Sequence, residues 1–286
     1  MDTNRNTILA CIDGSQYSEA VCEYATWISN RLSLPLQLFH NIAKTSAPVT
    51  DLSGAIGLNS QQQLMEELTE LEETRAKILL QQGKLLLEAA KGHALSKGAS
   101  NLTTNQRHGG LSESLLEIED SIRVLVLGGI SEESADSSPN LSTNLESTIR
   151  ALHSPILLVN NEFREPKRVM LAYDGSAASN KALDMLSKSP LFVGIPIHLV
   201  TVGEQQTNLE TLQAEATKKL EQGGHTLVSK ILRGRACDVL CQYQNEEDID
   251  ITLMGSFSHS RLREIILGST TAKMLLKANK PLWLLR

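Results

Sequence analysis

Along this chain, short apolar runs alternate with longer segments whose apolar positions recur every three or four residues. The first pattern predicts buried strands and the second predicts helices packed on one face. In the C-terminal part the strands fall near 167–173, 195–202, 226–232, 249–254 and 281–285. Helices fall between them, near 176–188, 207–222, 235–246 and 269–278. Strict strand–helix alternation predicts a parallel sheet covered by helices on both faces. Ligands of such sheets bind at the carboxyl ends of the strands, where the strand order reverses.

The same pattern is written twice. Asp13-Gly14-Ser15 follows Ile8–Ile12 as Asp174-Gly175-Ser176 follows Val169–Tyr173, at an offset of 161 residues. Leu34-Pro35-Leu36-Gln37-Leu38 matches Ile195-Pro196-Ile197-His198-Leu199 at that offset. Further on, Gly109 matches Gly234 at 125, and Ser154–Leu158 matches Lys280–Leu284 at 126. Ordered matches of this kind mark an internal duplication. The predicted architecture is therefore α/β, with two tandem, doubly wound, five-stranded parallel-sheet domains at 1–160 and 167–286. The closing strands, 155–159 and 281–285, are short and apolar, and would be hazardous as open edges. They are expected to pair with each other, making a pseudo-dimer within one chain. Whether two chains associate is left open.

The fall in offset from 161 to 125 means that the first copy carries 36 extra residues between its second and third strands. Pro48, Gly54 and Gly57 mark a loop at 43–60, within an insertion near 43–80. A long helix follows over 61–92, with Leu64, Leu68, Leu71, Ile78, Leu79, Leu85 and Leu86 on a recurring face. Leu64, Leu71, Ile78 and Leu85 repeat every seven residues, but Thr74 and Gln81 interrupt the alternate positions. The expectation is a helix lying on the sheet, not a coiled coil.

Composition narrows the function. A net charge of −6 without a basic run, and 3% aromatic residues, argue against nucleic acid or an anionic membrane as partner. No apolar stretch approaches the roughly 20 residues that span a bilayer, and the N-terminus lacks a signal-like core. A cytoplasmic protein is expected. The four cysteines, Cys11, Cys22, Cys237 and Cys241, read as small core residues; their spacing does not form a zinc pattern. His40, His93, His153, His198 and His225 have no metal spacing. No metal site and no catalytic residue are predicted, and neither a Walker lysine motif nor a nucleophile elbow is present.

The candidate chemistry sits after the fourth strand of the second copy. Gly255-Ser256-Phe257-Ser258 ends an apolar run, and Gly268-Ser269 starts a helix. Small residues let backbone N–H groups approach a phosphate, and a helix N-terminus adds partial positive charge. The plain alternative is a strand-end turn followed by a helix cap.

Asp-Gly-Ser after strand one, glycine after strand three, and Gly-x2-Ser-x9-Gly-Ser after strand four together resemble the universal stress protein family. The resemblance covers nearly the whole chain as two tandem copies joined near Asn160–Pro166. Its most specific part is Met254–Thr271, which looks like the nucleotide-binding branch of the family. The resemblance implies ATP in the second copy, with Mg²⁺ as companion of the phosphates. Asp174 would meet the ribose or adenine side, Val202 would offer backbone groups to adenine, and Ala172 would line its pocket. Met254 and Gly255 would pass beneath the ribose and first phosphate, while Ser258, Gly268, Ser269 and Thr270 would surround the phosphates. Ser258 stands where the family has its second glycine, which predicts weakened or retained binding.

The first copy departs further. Aligning Pro155 with Pro281 puts Ser142-Thr143 where Gly268-Ser269 stands, and Glu132 where Ser258 stands; Asn41 replaces Val202. Carboxylates there would repel a triphosphate, so the first site is expected to hold no nucleotide. Asp13 survives, with capping of its turn an equally good explanation. His108 and Arg233, beside Gly109 and Gly234, read as turn residues facing water before they read as ligand contacts.

Three functions compete on this evidence. The leading one is an ATP-binding regulatory or stress-response protein, with slow or no hydrolysis and a protein partner of unknown identity. The second is an ATPase or adenylating enzyme, for which His259 and Glu264 are the nearby acid–base candidates. The third is a scaffold with an apolar cavity in the first copy, roofed by the long helix.

Overall fold

The computed structural model describes residues 5–43, 58–129, 143–204, 206–256 and 269–286. In the first half, strands β1 (Thr7–Cys11), β2 (Leu36–Ile42), β3 (Leu102–His108), β4 (Ile122–Gly128) and β5 (Ile156–Val159) are separated by helices α1 (Ser18–Leu32), α2 (Leu58–Ser96), α3 (Leu111–Leu116) and α4 (Thr143–Ala151). The second half repeats the order. Its strands are β6 (Val169–Ala172), β7 (Ile197–Val202), β8 (Leu227–Leu232), β9 (Ile251–Gly255) and β10 (Leu282–Leu285). Its helices are α5 (Ala177–Lys188), α6 (Gln206–Gln222), α7 (Ala236–Glu246) and α8 (Ser269–Lys277).

All ten strands form one sheet, ordered β3-β2-β1-β4-β5-β10-β9-β6-β7-β8. Within each half the pairing is parallel. The halves meet through an antiparallel pair, with Leu157 opposite Trp283 and Leu158 opposite Leu282. A parallel arrangement about a two-fold axis requires that reversal, so the anticipated pairing of the closing strands is what seals both apolar edges. The outermost strands are half-exposed; β3 is mostly polar (LTTNQRH) and β8 carries an exposed Ser229-Lys230 at its centre (LVSKIL), features that blunt an open edge. Central strands such as β4, β6 and β9 are almost wholly buried, which is why they read as largely apolar runs.

Each face of the sheet carries one continuous core spanning both halves. The scarce aromatic residues concentrate at the junction. Trp27 and Phe192 lie 6.4 Å apart, Phe192 and Trp283 lie 5.6 Å apart edge to face, and Tyr24 contacts Phe163 at 4.8 Å. Arg31 crosses between halves, donating to the Val193 carbonyl at 2.6 Å and lying over the Trp27 ring.

The duplicated turns keep the same backbone. Gly14 and Gly175 have φ of +79° and +74°, a region that side chains resist. In each turn the aspartate carboxylate accepts from the serine N–H at 2.9 Å.

The inserted helix departs from the sequence reading. It does pack on the sheet, but only through its C-terminal half, and on a different face. Gly83, Leu87, Ala90 and Ala94 are buried, whereas Leu68, Leu71, Ile78 and Leu85 are exposed. The cause is close approach: a Cβ on Gly83 would fall 2.1 Å from Gln106 and 2.6 Å from His40. The small-residue stripe lets α2 settle against β2 and β3, and that turns the leucine heptad outward. The loop anticipated at 43–60 lies largely outside the described residues.

Candidate nucleotide cleft

The strand order reverses beside β6, which sends its chain to β7 on one side while β9 lies on the other. A cleft opens at the carboxyl ends of these three strands. Its empty space, open mouth included, is about 690 Å³. It is lined by Ala172, Val202, Met254 and Gly255 at strand ends, by Asp174 in the turn after β6, and by Ser269 and Thr270 at the start of α8. Seven of the nine residues anticipated from sequence thus meet in one place. Ser258 and Gly268 lie outside the described residues.

The local reasons are specific. Gly255 ends β9 against the start of α5, where a Cβ would come 2.7 Å from Ala178 Cβ and 3.1 Å from the Ser179 nitrogen. Glycine here is required by helix packing whether or not a ligand binds. Thr271 donates from Oγ1 to the Gly255 carbonyl at 3.1 Å, which fixes the N-terminus of α8 beside the strand end. Ser256 turns away from the cleft: its hydroxyl and its N–H both donate to the Leu285 carbonyl, at 2.9 and 2.8 Å. Ser176 caps α5 by accepting from the Ser179 N–H at 3.1 Å.

Burial alone would raise the Asp174 carboxyl. Hydrogen bonds from Ser176 and Ser179 outweigh it and hold its pKa below the ordinary carboxylate value. Asp174 is therefore an anion, able only to accept. It is also the one carboxylate among the described residues lining the cleft.

Tyr173, Ser176, Val200, Ala236, Leu240 and Thr271 line the cleft as well and were not anticipated. Strand alternation pairs Val200 with Val202, and Ala236 and Leu240 lie one helical turn apart after Gly234, so a signal was present for three of them. His108 ends β3 and Arg233 follows β8; neither lines the cleft.

At the corresponding positions the first half carries larger side chains. Register places Phe39 at the position of Val200 and Cys11 at that of Ala172, and Leu111 opens α3 as Ala236 opens α7. Each is larger than its counterpart, and Phe39 is wholly buried. Asn41, the counterpart of Val202, is engaged: it donates to the Gly109 carbonyl at 2.8 Å and accepts from Ser114 at 3.2 Å. Register also corrects the alignment by one residue. Leu9 faces Leu125 whereas Met170 faces Thr252, so Gly128, not Gly129, corresponds to Gly255. By count, Ser131 then stands level with Ser258, in place of Glu132; both positions are outside the described residues.

A separate, partly apolar cavity lies between α1 and α2, lined by Ile12, Cys22, Leu86, Ala90 and His93 among others. Burial pushes the Cys22 thiol up to about 12 and the Cys11 thiol higher still, consistent with packing and not nucleophilic roles. Among the described residues, no cluster of three metal-ligating side chains occurs, and no helix is long and apolar enough to cross a membrane.

A model of the universal stress protein family matches residues 203–286. The universal stress protein Slr1230 of Synechocystis sp. is 33% identical over 279 residues, spanning 96% of this chain and 97% of that protein. This chain belongs to the universal stress protein family. The crystal structure of a universal stress protein from Archaeoglobus fulgidus covers 98% of each chain with a TM-score of 0.73 at 15% identity. A protein from Pseudomonas aeruginosa PAO1 described as functionally unknown, PA1789, covers 98% of this chain and 92% of its own with a TM-score of 0.62 at 14% identity. At those identities the two structures speak for the fold alone. As a universal stress protein, this chain carries both copies of its repeat in a single sheet.

Proposed function

We propose that this universal stress protein is an adenine nucleotide-binding regulatory protein that holds one ATP in its second half, with slow or no hydrolysis. The observation that carries the reading is the convergence of Ala172, Asp174, Val202, Met254, Gly255, Ser269 and Thr270 on one cleft at the strand reversal. Each wall suits one part of the ligand. Ala172, Val200, Val202, Ala236 and Leu240 form an apolar slot for a flat base. The anionic Asp174 matches the hydroxyl donors of a ribose. The hydroxyls of Ser269 and Thr270, with the N-terminal amides of α8, suit phosphate oxygens. Ser258 and Gly268 would complete the phosphate cradle. Mg²⁺ would ride on the phosphates, since Asp174 lies on the ribose side.

Hydrolysis needs a base to activate water. A carboxylate held below its ordinary pKa is a poor one, which supports binding over turnover. The domains at 1–160 and 167–286 would then have divided roles, the first structural and the second liganded.

The test copies the first half's filling into the second. Addition of Mg·ATP is expected to raise the melting temperature of the wild-type chain. Val200→Phe with Ala236→Leu is expected to fold, as the first half does with Phe39 and Leu111, and to show no rise. An equal rise in both proteins would refute the assignment to this cleft.

A further inference from the structure

Cys237 and Cys241 lie one turn apart on α7. Residues spaced by four share a helix face, and here the two thiols are hydrogen-bonding neighbours. Met274 of α8 brings a third sulfur to them: the Cys241 thiol donates to its Sδ at 3.5 Å. Cys237 and Met274 are 5 and 0% exposed, while Cys241 is half-buried and gives a way in. None of the three lines the nucleotide cleft, so the cluster is independent of the proposed function.

No three His, Cys, Asp or Glu side chains gather among the described residues; the third donor here is a thioether. Thiolate and thioether together are a soft set that suits Cu(I), whereas Zn²⁺ is held by thiolate, imidazole and carboxylate. Asp238, next along α7, is turned to Lys277 at 2.9 Å. The spacing fits as well. A metal about 2.3 Å from each of three sulfurs holds them about 4 Å apart, and one pair already stands at 3.5 Å. Burial first, and then Cys237, push the Cys241 thiol up to about 11, while Lys277 pulls it down. A thiol so protonated is a poor nucleophile, which disfavours disulfide exchange; a soft cation instead displaces its proton. Cu(I) on two thiolates leaves one negative charge, and the Lys277 ammonium interacts with both cysteines. We propose that Cys237, Cys241 and Met274 bind one Cu(I) between α7 and α8. The metal enters as Cu(I), no electron moves, and the two thiol protons pass to solvent.

The test is an anaerobic titration of the full, reduced chain with Cu(I) in competition with bicinchoninate. One copper per chain is expected, with affinity rising about 100-fold for each pH unit between 6 and 8, as two displaced protons require. Cys237→Ala with Cys241→Ala is expected to lose that copper, and Cys11→Ala with Cys22→Ala to keep it. Met274→Leu, which nearly conserves volume, should keep the one-to-one ratio at lower affinity. X-ray absorption of the loaded wild type, which needs no variant to fold, should show sulfur neighbours alone. Four results would each overturn the proposal: no copper held against bicinchoninate, equal binding without Cys237 and Cys241, unchanged affinity in Met274→Leu, or nitrogen or oxygen bound to the metal.

Discussion

Gly255 shows how one residue serves both packing and site. Its neighbours in α5 leave no room for a methyl group, so Gly255→Ala is expected to destabilise the protein by about 1–3 kcal/mol, typical of overpacking. Urea unfolding measures this; a neutral effect would show that α5 can retreat. His198 offers a pH test. It is buried, with Nδ1 2.8 Å from the Tyr243 hydroxyl. Burial holds its pKa below the ordinary 6.5, so the folded state prefers the neutral ring. The unfolded chain binds the proton first. Stability is therefore full above about pH 6.5 and is lost as pH falls from there toward the depressed folded value. His198→Gln should flatten that part of the pH profile, as read by melting temperature between pH 8 and 5. An identical profile in the variant would contradict the assignment.

At the scale of elements, the start of α8 is tied to the end of β9 by the bond from Thr271 to the Gly255 carbonyl. Thr271→Val keeps the shape and removes the donor. It is expected to cost about 1 kcal/mol and to weaken nucleotide binding, measured by titration; unchanged affinity would mean that the start of α8 plays no part in binding. The elements of the second half were legible to within two residues at each end. A parallel strand buried on both faces reads as a largely apolar run, and α5 and α7 begin where glycine turns end. The face of α2 was not legible. Two apolar stripes compete along its sequence, and the choice depends on how closely Gly83 approaches Gln106 and His40, a tertiary distance that no period encodes. The divergence of the first half's strand ends was half visible: Asn41 could be read by alignment, but the place of Phe39 required register across the sheet.

Across the whole molecule, duplication has produced two halves that share a sheet and two cores, and differ at their strand ends. The second keeps a cleft lined by small and apolar residues. The first puts the larger Phe39, Leu111 and Cys11 at the same positions, and carries the long inserted helix. The proposed single nucleotide per chain rests on that asymmetry, and the most direct measurement is a calorimetric titration of the full chain with Mg·ATP. The account predicts saturable binding with one equivalent per chain. No heat at about millimolar nucleotide, a range in which even binding worth only ~4 kcal/mol would register, would contradict the cleft. Two equivalents would contradict the division between the halves.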